Sequence, residues 1–287
     1  MATLNRDSSL RLEKIIEETS TVYSLPYFYE RLNEVINHPK TSIDDIARII
    51  IEDQGLTVKL LKLANSPMFG YYAKIESIAK AVTIIGTQPL RDLALAVSVM
   101  DIFKNIPEEL MNMRSFWRHS ISCGAIARNL AIYLHERNVE RFFVAGMLHD
   151  IGQLILCTSI PDVVNGIIGE CKAQESIFHE EEKKCLGFDH ADIGAALLSK
   201  WKIPAAILDP VAWHHKPAAA EQYPLEAAVV HLSDIICQAM QLGRTGAQVV
   251  PPLDEAAWKR INIPVNILGI ILKQSESQLE DALAIVT

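Results

Sequence analysis

The sequence predicts an all-α fold, and three observations carry that reading. Apolar residues recur at helical spacing in nearly every periodic segment. Alternating strand patterns are nearly absent. The longest periodic segments also carry helix caps. Hydrophobic residues make up 49% of the 287, enough to pack one large domain or two modest ones. The expected architecture is a multi-helix domain preceded by a smaller helical part.

Residues 1–21 read as a lead-in, loose or amphipathic, with Ser and charged residues throughout. Residues 22–105 hold several short helices. Ser42 precedes IDDIARIIIED with Asp45 three residues on, the pattern of a capping box. In NSPMFGYY, Phe69, Tyr71 and Tyr72 cluster; they close the core between the two parts or face a protein partner, and burial is the usual fate of such rings. The boundary falls near FKNIPEELMNM, where Pro107 and the charges mark a turn and a new helix start.

Residues 106–287 hold longer helices and eight of the nine histidines. MLHDIGQLIL reads as one buried helix. Asp189 caps HADIGAALLSKW. Asp209-Pro210 is expected to start VAWHH and Lys216-Pro217 to end it. Pro224 opens LEAAVVHLSDIICQAMQL and Gly243 closes it. QLGRTGAQVVPPLD, 241 to 254, is the clearest loop.

The net charge of −8 argues against non-specific nucleic-acid binding and against a polybasic membrane contact. A DNA-binding helix-turn-helix in the N-terminal part is disfavoured by its acidic Asp44-Asp45 and Glu52-Asp53 pairs. No apolar run approaches the roughly 20 residues of a membrane helix, and the N-terminus has no apolar signal core. The five cysteines lack a C-x-x-C pair and read as reduced, buried thiols. The expectation is a cytoplasmic protein with neither DNA nor membrane as partner.

The chemistry lies in an ordered series of ionisable residues on apolar faces. His119 shares a stripe with Phe116, Cys123 and Leu130. His149 and Asp150 interrupt an apolar run. His190 heads the stripe of Ile193, Leu197 and Trp201. His214 and His215 end another helix. Asp234 shares a face with Ala227, Val230 and Cys237. Taken singly, each has an ordinary reading: a core histidine bonded to a carbonyl, or Asp234 paired with His231. Together, five imidazoles and two carboxylates suit one or two divalent transition ions, with iron or manganese favoured by mixed His and carboxylate ligation. Asp150 could bridge two ions.

The series H…HD…H…HH…D resembles the HD superfamily of metal-dependent phosphohydrolases, and in its seven-residue form the HD-GYP cyclic di-GMP phosphodiesterases. LPYFYERLNEVINHP, IARIIIEDQGLTVKLLKLANSPMFG, IESIAKAVTIIGTQPLRDLAL, FVAGMLHDIGQLIL and LGFDHADIGAALLSKWKIP…WHHKP resemble the HDOD family, the HD-related output domain, over roughly residues 22 to 240. The resemblance implies an HD-like helical domain acting in bacterial signal transduction. It would bind a signalling protein, or a phosphoester or nucleotide ligand. The alternative it implies is a metal-dependent phosphohydrolase. The HD-GYP pattern implies one ion held by His119, His149, Asp150 and Asp234, and a second by Asp150, His190, His214 and His215. Two departures weigh against cyclic-dinucleotide hydrolysis. Gln153 stands where that pattern has Lys, and KPAAAEQYPL replaces a Gly-Tyr-Pro loop.

Overall fold

The computed structural model describes residues 6–71, 73–243 and 249–283. Every regular element among them is helical: sixteen α-helices and one 3-10 turn at Pro217–Ala219. The first six are α1 (Arg6–Val22), α2 (Tyr27–Ile36), α3 (Ile43–Ile51), α4 (Gln54–Ala64), α5 (Ile78–Ile85) and α6 (Thr87–Ile102). Helices α2 to α6 pack mainly on one another. The Ser42–Asp45 capping box forms, with Asp45 N donating to Ser42 Oγ at 3.2 Å and Ser42 N to Asp45 Oδ2 at 3.1 Å. The lead-in is an amphipathic helix. In α1, Leu12, Ile15 and Ile16 are buried, and the helix rests on two later ones, α9 (Ile151–Ser159) and α12 (His190–Lys200).

The second half is built around α7 (Met113–Tyr133). It is buried along most of its length between α8 (Val139–Leu148), α14 (Pro224–Ala239) and α16 (Val265–Leu283). Helices α7 and α8 meet backbone to backbone. A Cβ on Gly124 would lie 2.6 Å from the Phe143 carbonyl oxygen, and one on Gly146 would lie 2.9 Å from Gly124 Cα. Both distances are closer than real Cβ atoms come, so only glycine permits this contact. The remaining helices are α10 (Pro161–Gln174), α11 (Phe178–Leu186), α13 (Ala205–Trp213) and α15 (Glu255–Ile261).

The two halves join at the aromatic cluster. Phe69 is buried, stacks on Tyr71 and meets Phe143 of α8 edge-on, with ring centroids 5.6 Å apart. Arg128 of α7 lies over the Phe69 ring and donates to the carbonyls of Met68 at 2.8 Å and Phe69 at 3.3 Å. Its guanidinium also pairs with Glu140, which accepts the Tyr71 hydroxyl at 2.9 Å. Tyr72 lies outside the described residues, as does part of the loop expected at 241 to 254.

Four local expectations are corrected. Helix α13 starts at Ala205, with Pro210 inside it rather than at its head. The chain turns into this helix at Pro204, so only the one backbone bond that Pro210 cannot donate is lost. MLHDIGQLIL is two helices, α8 and α9, with His149 and Asp150 in the turn between them. Asp150 has φ −95° and ψ 7°. The bend lets Gly152 slide beneath α12, where a Cβ would overlap the His190 carbonyl. Cys185 is exposed, while the other four thiols are buried. The α8–α9 stretch, Val139–Ser159, is also long and apolar enough by composition to cross a membrane. This corrects the expectation that no apolar run approaches that length. The stretch is 89% buried within the protein.

Candidate metal centre

The seven sequence-predicted residues converge on one point. Helix α7 brings His119, the α8–α9 turn brings His149 and Asp150, and the first turn of α12 brings His190. His214 and His215 follow α13, and α14 brings Asp234. The Asp189 cap fixes the start of α12 by a capping box with Asp192. Six of the seven are buried, and His215 is half-buried.

Asp150 divides the cluster. Its Oδ2 lies 3.4 Å from His149 Nε2 and 3.6 Å from His119 Nε2. Its Oδ1 lies 3.0 Å from His190 Nε2 and 4.0 Å from His214 Nε2. Asp234 Oδ1 faces the first pair, 3.1 Å from His119 and 3.5 Å from His149. His215 Nε2 faces His190 Nε2 at 2.9 Å. Asp234 therefore pairs with His119. His231, its alternative partner, donates instead to the His214 carbonyl at 2.7 Å and accepts from Asp254 N at 3.0 Å.

The outer nitrogens of three rings are tied down. His149 Nδ1 donates to the Gly146 carbonyl at 2.6 Å, and His214 Nδ1 to the Val211 carbonyl at 2.8 Å. His190 Nδ1 meets Glu182 Oε2 at 2.6 Å. Each therefore turns Nε2 inward. Gln238 Nε2 donates to both Asp234 oxygens at 2.9 Å.

Electrostatics separates the rings. Burial would depress His149, but the Asp150 carboxylate overrides it and holds the imidazole well above its usual range. His190 is likewise raised against its burial, by Glu182 and then Asp150. Burial, reinforced by the charges on His149 and His190, lowers His214 to about 3. Burial and His214 push His215 well down. Both aspartates sit well below the carboxylate range despite burial, held there chiefly by His149 for Asp150 and by His119 and His149 for Asp234.

These residues fit a metal. Ring nitrogens facing each other at 2.9 Å and 3.3 Å must share a hydrogen or a metal ion between their lone pairs. His214 Nε2 is buried with no hydrogen-bond partner, and its lone pair points into the cluster. Donor atoms of His190, His214 and His215 lie within 4.8 Å of one another, as do those of His119, His149 and Asp150. Beside the cluster is a small cleft lined in part by Asp150, Gln153, His179, His190, His215 and Gln238.

Three supporting residues escaped the sequence reading, and a fourth, His231, entered it only as a partner for Asp234. His179 on α11 stacks on His215, with centroids 3.8 Å apart and planes 13° apart; burial and then His190 lower it to about 4. The other two are Glu182 and Gln238. Glu182 had a signal, because it stands on a helical stripe between Phe178 and Leu186.

A family model for the HDOD domain matches residues 22–217. An uncharacterized protein of Treponema pallidum (strain Nichols) is 25% identical over 268 residues, 92% of this chain. The chain spans about half the length, 49%, of that relative. Among solved structures, an HDOD domain protein of unknown function from Geobacter sulfurreducens superposes with a TM-score of 0.71 at 24% identity, covering 97% of each chain. A protein from Shewanella amazonensis SB2B, provisionally named a phosphohydrolase, gives 0.72 at 24% identity over 96% of this chain and 98% of its own. A protein from Marinobacter aquaeolei VT8, provisionally named for signal transduction, gives 0.74 at 16% identity over all of this chain and 67% of its own. At these identities the likeness shows a shared fold.

Proposed function

The chain belongs to the HDOD domain family, and on that premise we propose that it is a signalling output domain built around a dinuclear metal centre, acting through a phosphoester ligand and a protein partner. The carrying observation is the division of Asp150. One oxygen faces His119 and His149, and the other faces His190 and His214. That is the placement a bridging carboxylate requires. The two ions would be held by the two sets that share it, with Asp234 completing the first and His215 the second. Iron or manganese suits the mixed ligands best.

A divalent pair supplies Lewis acidity and a water acidic near neutral pH, the chemistry of phosphoester capture and cleavage. The chain's own residues do the rest. His149, His190 and His214 keep their inner nitrogens aimed by outer hydrogen bonds. Gln238 holds Asp234 by both oxygens. The cleft reaches Asp150, where a ligand atom would meet the ions. Gln153, on its wall, brings no cation from that position, which favours ligand binding over turnover as the biological output. The hydrolase reading is supported by the presence of Asp150, the candidate bridge, in the wall of that cleft.

Metal content by plasma mass spectrometry, on protein purified without a metal affinity column, tests the centre. About two ions per chain are expected. No ion, even after anaerobic reconstitution with iron or manganese, sinks the proposal. Reloading stripped protein with metal at a hundredfold excess over Kd should stabilise it by about 2.7 kcal/mol for each ion bound. Scanning calorimetry would register this as a melting temperature higher by several degrees. Turnover of a phosphodiester by the loaded protein would select the hydrolase reading.

A further inference from the structure

We propose that Glu182 is a positioning residue that fixes the tautomer and orientation of His190 for the second ion; this rests on the dinuclear reading above. Glu182 is only 1% exposed, and Phe178 and Leu186 flank it on the inner face of α11. Its Oε2 accepts from the His190 backbone N at 3.1 Å and from His190 Nδ1 at 2.6 Å. Two bonds to one residue lock both the start of α12 and the ring on it. With Nδ1 donating outward, His190 presents Nε2 to Asp150 Oδ1. Phe178, one turn before Glu182, lies against the same ring with planes 26° apart. Buried carboxylates are costly, and the other oxygen, Oε1, is buried with no partner. Asp189 already caps α12 through the Asp192 amide, so capping leaves the Glu182 bond to the His190 ring unaccounted for.

A carboxylate behind a ligating imidazole raises its basicity as well as aiming it. Glu182→Gln keeps the shape and removes the charge. Metal-stripped wild type and variant would be titrated with Mn2+ alone, followed by calorimetry and electron paramagnetic resonance. The variant should bind the second ion about 10–100-fold more weakly and leave the first unchanged. At ion concentrations where wild type gives a spin-coupled spectrum, the variant should give the spectrum of isolated Mn2+. Wild-type affinity at both positions in a folded variant overturns the proposal. A wild type that takes up no Mn2+ overturns the dinuclear reading together with it. Wild-type protein loaded with Zn2+ gives a test that does not depend on the variant folding. Its nitrogen-edited imidazole spectrum should show His190 protonated at Nδ1, and an Nε2–H tautomer overturns the assignment.

Discussion

Asp150→Ala is expected to strip the protein of both ions rather than one. Each carboxylate oxygen faces a different set of imidazoles, so its removal deprives both positions of a ligand. It also removes the charge that most raises His149, and one of those that raise His190. His119→Ala and His215→Ala sit at opposite ends of the cluster, and each should spare the other position. Metal content of the three folded variants checks the pattern. If Asp150→Ala retains wild-type stoichiometry, Asp150 is not the bridge and the site is wrongly drawn.

Arg128→Leu should destabilise the protein by about 3–5 kcal/mol, the usual effect of removing one partner from a buried ion pair. Here the loss compounds. Glu140 stays buried without its cation, and the Met68 and Phe69 carbonyls lose their donor. The variant should unfold at clearly lower urea concentration with an unchanged m-value. Adding Glu140→Gln should restore part of the loss, because it neutralises the stranded charge. A loss below about 1 kcal/mol would mean that ring packing, not the guanidinium, joins the two halves.

Much of the convergence of these seven residues was legible in the sequence because most sit on separate helices, on faces otherwise apolar. His119, His190 and Asp234 could be placed inward by spacing alone. The break at His149-Asp150 could not, since the run around it is continuously apolar. The bend seats Gly152 beneath the His190 carbonyl, a tertiary contact that spacing along the chain does not reveal. Glu182 lies in HEEEKK, whose charge suggests a solvated face; only the Phe178–Glu182–Leu186 stripe marks it as turned inward. His179 left no periodic signal, because its role depends on where α11 lies against the end of α13. Pro210 misled because proline usually marks a boundary, whereas here the start is set by the preceding Pro204.

The backbone contact of Gly124 with Gly146 bears on how relatives of this chain should be judged. Gly124 follows His119 by five residues, and Gly146 precedes His149 by three, so that contact sets how near the two rings come. A homologue with all seven His and Asp residues but a methyl group added at either glycine would hold those rings farther apart. An inventory of His and Asp alone would miss that difference. Screening the two glycines alongside the ligands would separate intact centres from those whose ligands survive on a scaffold that has moved apart.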